Sequence, residues 1–141
     1  MKALSLWQPW ASFMAMGLKK NETRHWATSY RGPLLIHAAK RKPPQDELEF
    51  FCHILFNHGF TGGWLWNLPL GVMLCQVNLV DCPKIGHENS PPETDLEYHL
   101  GNYDHGRYMW ITDNLTRFKS SIPWKGHQGL FDVPEETFRG C

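Results

Sequence analysis

Between Gly71 and Cys82 the chain reads GVMLCQVNLVDC, a run of 12 residues that is the longest strand candidate in the sequence. Residues 2–6 (KALSL), 33–39 (PLLIHAA), 107–114 (RYMWITDN) and 130–134 (LFDVP) read as further strands. Glu22, Arg24 and Trp26 are spaced two apart, so on an extended segment they share one face. Helical signals are fewer. QPWASFMAM carries Pro9 in a first turn and is followed by Gly17, suited to the C′ position. Residues 44–57, PQDELEFFCHILFN, open on Pro44, place acids in the first turn, repeat Leu48, Phe51, Cys52 and Leu55 at helical spacing, and stop before Gly59. Ser90-Pro91-Pro92-Glu93 has the form of a capping box and predicts a third short helix ending near Gly101. TGGWLWNLPLG and IPWKGHQG read as loops. About six strands and two or three short helices, not regularly alternating, predict an α+β domain on a small curved sheet or barrel. No repeat, linker or low-complexity stretch divides residues 1–141, so one domain is expected.

A hydrophobic share of 42% and a charged share of 20% are those of a globular protein. No apolar run approaches the roughly 18 residues of a membrane span. MKALSLWQPW lacks the apolar core and cleavage site of a signal peptide, so a cytoplasmic location is expected. Cys52, Cys75, Cys82 and Cys141 are scattered, and the histidines lack ligand spacing; neither a metal site nor a cofactor is expected. The zero formal net charge is unevenly distributed. Residues 1–42 hold eight Lys or Arg against one acid, Glu22, while the rest hold six against thirteen, about +7 and −7 respectively. Indiscriminate nucleic-acid coating calls for an overall basic protein, so this asymmetry favours a local site, or simple neutralisation of the basic segment by the acidic one.

The basic segment contains the pattern G-x-K-x-x-E-x-R at Gly17, Lys19, Glu22 and Arg24, preceded by LSLWQPWA and followed by YRGPLLIHAAK. With VMLCQVNLVDC, RYMWITDN and KGHQGLFDVP in that order along the chain, the sequence resembles the ASCH domains of the PUA-like β-barrel superfamily. The resemblance runs nearly end to end. It implies a small mixed barrel whose motif lines a cleft beside the first helix, and a ligand that is RNA or a modified nucleoside.

Each candidate side chain suits such a ligand and also has a structural use. Lys19, with Lys20 in a more exposed position, offers an ammonium to a phosphate or carbonyl oxygen. Glu22 can accept from the exocyclic amine of cytosine or adenine. Arg24 can bind phosphate, or pair with Glu22 for about 0–1 kcal/mol. Trp10 and Trp26 are candidate stacking surfaces or core fill, with Trp7 assigned to the core. Gln8 can read a base edge or bond nearby backbone, His37 and Lys40 rim the cleft, and Lys125 and Gln128 rank below them.

Two other readings stand beside binding. One is a nucleoside or RNA hydrolase using Lys19 and Glu22. The ASCH amidohydrolases of N4-acetylcytidine use a lysine, a threonine and a glutamate, yet here Glu22 occupies the threonine's slot and Thr23 faces the other way on an extended segment. A second acid from Glu93, Asp95 or Glu97 is conceivable, though a solvated helix face is the expectation for all three. The other reading is a protein-interaction module built on Trp64 and Trp66, for which core burial is the simpler account.

Overall fold

A computed structural model describes residues 1–138. Six strands, β1 (Lys2–Leu6), β2 (Asn21–Arg24), β3 (Gly32–Ala38), β4 (Val72–Asp81), β5 (Tyr108–Pro123) and β6 (Leu130–Asp132), form one mixed sheet in the order β2-β5-β4-β3-β1-β6. β1 and β3 are parallel and every other pairing is antiparallel. Register shifts interrupt β4–β5 at three places and β3–β4 between Ile36 and His37. Such bulges bend the strand that carries them and sharpen its twist. The sheet curls into a half-barrel.

Helix α1 (Trp10–Ala15) fills the concave side. Its Ala11, Met14 and Ala15 pack with Leu4, Leu6, Leu34, Ile36, Val77, Leu79 and Trp110, the alternate residues that four strands turn to one face. Phe13 lies among Leu48, Phe51 and Leu55 of α2 (Gln45–Asn57), with Leu65 and Leu100 beside them, so α1 is wedged between sheet and second helix. The strands' other face buries Ala3, Leu35, Met73, Phe131 and Val133. Trp110 is enclosed, meets Trp26 edge-on at 4.7 Å, and donates its indole N–H to the Trp26 carbonyl at 3.2 Å.

Three local expectations change. The capping box at Ser90–Glu93 opens no helix; only one turn, α3 (Leu96–His99), forms behind Asp95, without a side-chain cap. TGGWLWNLPLG contains a 3₁₀ helix over Gly63–Asn67. Of its tryptophans, Trp64 packs partly against the α1–α2 core, whereas Trp66 is 47% exposed and outside the core. β5 runs nine residues past the RYMWITDN segment, through Asn114 at φ 54, to Pro123. Residues 113–117 are all exposed, so they carry no alternation from which a strand could be read. Of the four cysteines, Cys75 and Cys82 are buried and Cys52 is half-buried; Cys141 lies outside the described residues.

Trp110→Ala removes the largest enclosed side chain and the hydrogen bond that ties it to Trp26. The expected cost is about 3–5 kcal/mol, read from the shift in urea midpoint at unchanged slope.

Candidate functional site

Helix α1 ends in a Schellman motif that determines where the following residues go. Leu18 N–H bonds the Phe13 carbonyl at 3.0 Å and Gly17 N–H the Met14 carbonyl at 3.1 Å, with Gly17 at φ 74. The chain then turns sharply from the helix into Lys19 and β2. Lys19 points inward and is 2% exposed. Its ammonium donates to the Asn21 carbonyl and lies 3.4 Å from both Glu97 Oε2 and the Tyr103 hydroxyl, with the Tyr103 ring 5.2 Å away. Glu97 belongs to this network and not to a solvated face. Its Oε1 accepts Lys20 N–H at 2.6 Å and Asn21 N–H at 3.3 Å, and its Oε2 accepts the Tyr103 hydroxyl at 2.8 Å. Burial, and then the Glu97 carboxylate, push Tyr103 well above the usual phenol range, so it stays protonated as a donor. Gly101 backs the ammonium, because a Cβ there would lie 2.8 Å from Lys19 Nζ.

Along β2, Glu22 and Arg24 share a face, as their spacing requires. Arg24 Nη1 lies 3.4 Å from Glu22 Oε2 and its guanidinium sits 5.8 Å from the Trp26 ring. Arg107 Nη2 donates to the Thr23 carbonyl at 2.9 Å and fastens β2 to the loop before β5.

These residues border a cleft of about 1830 Å³. Trp7 and Trp10 line it from the β1–α1 link and the start of α1, Glu22 to Trp26 from β2 and the residues after it, Tyr98, His99, Gly101 and Asn102 from the α3 turn, and Pro123 to Gly129 from the β5–β6 loop. Ser5, His37 and Lys40 contribute from β1 and the end of β3. Trp10 meets Phe51 edge-on at 5.6 Å. Trp7 is not core: it is 56% exposed, lines the cleft, and carries the Arg41 guanidinium 4.1 Å from its ring. Its position two residues beyond Ser5, as the chain leaves β1, was the available sequence signal. Lys125 and Gln128 line the cleft too.

Lys19 and Gln8 do not line it. Gln8 is enclosed and spends its amide internally, accepting Ser12 N–H at 3.0 Å and donating to Ser12 Oγ at 2.8 Å and the Pro69 carbonyl at 2.9 Å. It therefore caps α1 from within. His37 is 1% exposed, with Nδ1 2.9 Å from Ser5 Oγ and Nε2 2.7 Å from the Trp124 carbonyl. Burial is the main cause holding its pKa below 6.5, opposed by the Trp124 bond and reinforced by His127.

The charge asymmetry resolves in the same geometry. Lys2, Lys19, Arg31 and Arg41 pair with Asp132, Glu97, Asp81 and Glu47, all from the acidic part of the chain. Arg24, Lys40, Arg107 and Lys125 remain around the cleft, where the one carboxylate among the described lining residues is that of Glu22. Among the described residues, no group of three or more His, Cys, Asp or Glu could hold a metal ion, and no helix is long and apolar enough to cross a membrane.

The ASCH domain family profile matches residues 4–120. Activating signal cointegrator 1 of Homo sapiens is 35% identical over 149 aligned residues, and that of Mus musculus 38% over 141. Each alignment covers 98% of this chain and 23% of the relative, so the chain spans about a quarter of the length of the proteins it matches.

Glu97→Gln keeps a side-chain oxygen for the backbone donors but leaves the enclosed Lys19 ammonium without its carboxylate. A loss of about 3 kcal/mol is expected in urea unfolding. For His37, the depressed folded-state value means that the unfolded chain binds more protons as pH falls below 6.5. Its contribution to stability is present above that value and is lost on acidification. The urea midpoint should therefore fall between about pH 7.5 and 5, and fall less in His37→Gln.

Proposed function

The chain belongs to the ASCH domain family, and from that premise we propose that its cleft binds RNA, holding unpaired or modified bases against tryptophan while basic side chains take the phosphates. The observation that carries this reading is the composition of one concave surface. Trp7, Trp10, Trp26 and Trp124 line it together with Arg24, Lys40, Arg107 and Lys125. Stacking on aromatic rings is tolerant of base identity because every base has a π-face, and a cationic groove beside such rings follows the backbone. The cleft's volume, about 1830 Å³, exceeds the roughly 300–1,000 Å³ of small-molecule pockets, which supports a stretch of chain over a free nucleoside. Glu22, the one carboxylate among the described residues that line the cleft, favours a base with an exocyclic amine.

Binding is preferred to hydrolysis through Lys19 and Glu22 because the Lys19 ammonium is already enclosed by Asn21, Glu97 and Tyr103. In this reading Lys19 shapes the motif, and Arg24 with the rim lysines meets the ligand. The interaction-module reading has less support, because Trp64 packs against the α1–α2 core and leaves Trp66 alone of that pair exposed.

A tryptophan-fluorescence titration with a short single-stranded RNA tests the proposal. Quenching should saturate and weaken with salt. Lys125→Ala should reduce the slope of log affinity against log salt by about 0.7, the share of one phosphate contact on a single strand. Trp7→Ala, at an exposed position, should cost about 1–3 kcal/mol of binding at unchanged stability. Affinity indifferent to salt and to both substitutions would remove the reading.

A further inference from the structure

Ser5 and His37 are register partners on the parallel strands β1 and β3, and they project to the same face of the sheet as Ala3 and Leu35. His37 stands at the register shift that interrupts β3–β4, a feature that re-aims a side chain. Its Nε2 faces the Trp124 carbonyl oxygen at 2.7 Å, and a carbonyl can only accept, so Nε2 carries the proton. Nδ1 therefore holds a lone pair, 2.9 Å from Ser5 Oγ, and the serine hydroxyl donates to it. A hydroxyl is thus bonded to a neutral imidazole whose tautomer a third group holds fixed. That is the arrangement of an activated nucleophile, with a backbone carbonyl in the orienting role a carboxylate often plays. Both side chains line the cleft, as does Gly126. A Cβ at Gly126 would stand 2.9 Å from Ser5 Oγ and 2.8 Å from His37 Cε1, so the β5–β6 loop approaches the pair this closely only with glycine there.

The geometry points to a second activity of the cleft: Ser5 is a nucleophile, with His37 as its base, that cleaves a carboxylic ester whose alcohol portion is a nucleotide. Ser5 Oγ bonds to the acyl carbon as its proton passes to His37 Nδ1. The ester C–O bond breaks, and the departing alkoxide takes that proton. Water then gives a proton to Nδ1 and its oxygen to the acyl carbon, and Ser5 leaves and is reprotonated. The net reaction is ester plus water to acid plus alcohol, with no further reactant. The nucleotide portion rests on the RNA-binding reading; the dyad stands on Ser5, His37 and Trp124 alone.

A fluorophosphonate probe, which needs no nucleotide, tests the dyad. Wild-type protein should form an Oγ–P bond at Ser5 with loss of fluoride, located by peptide mass spectrometry, with buried Ser12 on the same peptide unlabelled. Labelling should vanish in Ser5→Ala and slow at least tenfold in His37→Gln, and hydrolysis of p-nitrophenyl acetate should follow the same order. Folded wild-type protein that stays unlabelled at Ser5, or turnover that persists in Ser5→Ala, overturns the proposal and leaves the pair as a tie between β3 and the Trp124 loop. Titration of the same preparation with RNA separates the two readings. Binding without labelling removes only the dyad, whereas labelling without binding supports the dyad and removes the nucleotide portion of its substrate.

Discussion

Enclosing the Lys19 ammonium is the demanding step in this fold, and much of the cleft's geometry follows from how it is met. An ammonium removed from water is tolerated only where a counter-charge and acceptors surround it. Asn21, beside Lys19 in the chain, and the distant Glu97 and Tyr103 supply these. The same Glu97 carboxylate takes the N–H groups of Lys20 and Asn21, so it holds backbone and side chain at once. The α3 turn is thereby tied to the start of β2. Tyr98, His99, Gly101 and Asn102 then form one wall of the cleft, and Glu22 and Arg24 the neighbouring one.

The opposite wall depends on a smaller polar tie. His37 reaches from β3 to the Trp124 carbonyl and brings the β5–β6 loop back over the sheet, while Ser5 fills the remaining acceptor of the ring. Lys125 and Gln128, on the same loop, line the cleft. The two walls thus rest on buried polar groups contributed by distant segments. Each is costly to leave unpaired, so each bond specifies one position for its loop.

Local rules made much of the fold legible. Pro44, the acids of the first turn and Gly59 bracket α2 to within a residue, and Gly17 marks the end of α1, because caps and turns act over a few residues. Glu22 and Arg24 share a face for the same reason. The errors have a common origin in long-range context. Ser90–Glu93 has the form of a capping box, but the following segment has only one turn, governed by the tie of Glu97 to β2. Lys19 looked like a ligand-facing cation because its partners lie 78 and 84 residues away in the chain. Trp7 looked like core because tryptophan fills small barrels; β1 ends at Leu6 in sequence as in structure, but that bound alone does not show that the next residue is delivered to an open edge. The Ser5–His37 pair was invisible for the same reason, since it exists only once β1 and β3 are placed side by side.

Zero net charge and a basic cleft are compatible because ion pairing here is selective in space. The acids of the later segment meet Lys2, Arg31 and Arg41 away from or behind the cleft surface, and Lys19 beneath it. Among the described residues lining the cleft, the rim cations have only the carboxylate of Glu22 beside them. An approaching polyanion therefore experiences a local positive field within a screening length of about 8–10 Å, while the molecule as a whole offers little attraction at longer range. Such a surface should discriminate by what enters the cleft more than by charge density. In the proposed RNA-binding reading, stacking on Trp7, Trp10 and Trp26 would reward unpaired bases over a rigid duplex, whose bases are already stacked on one another.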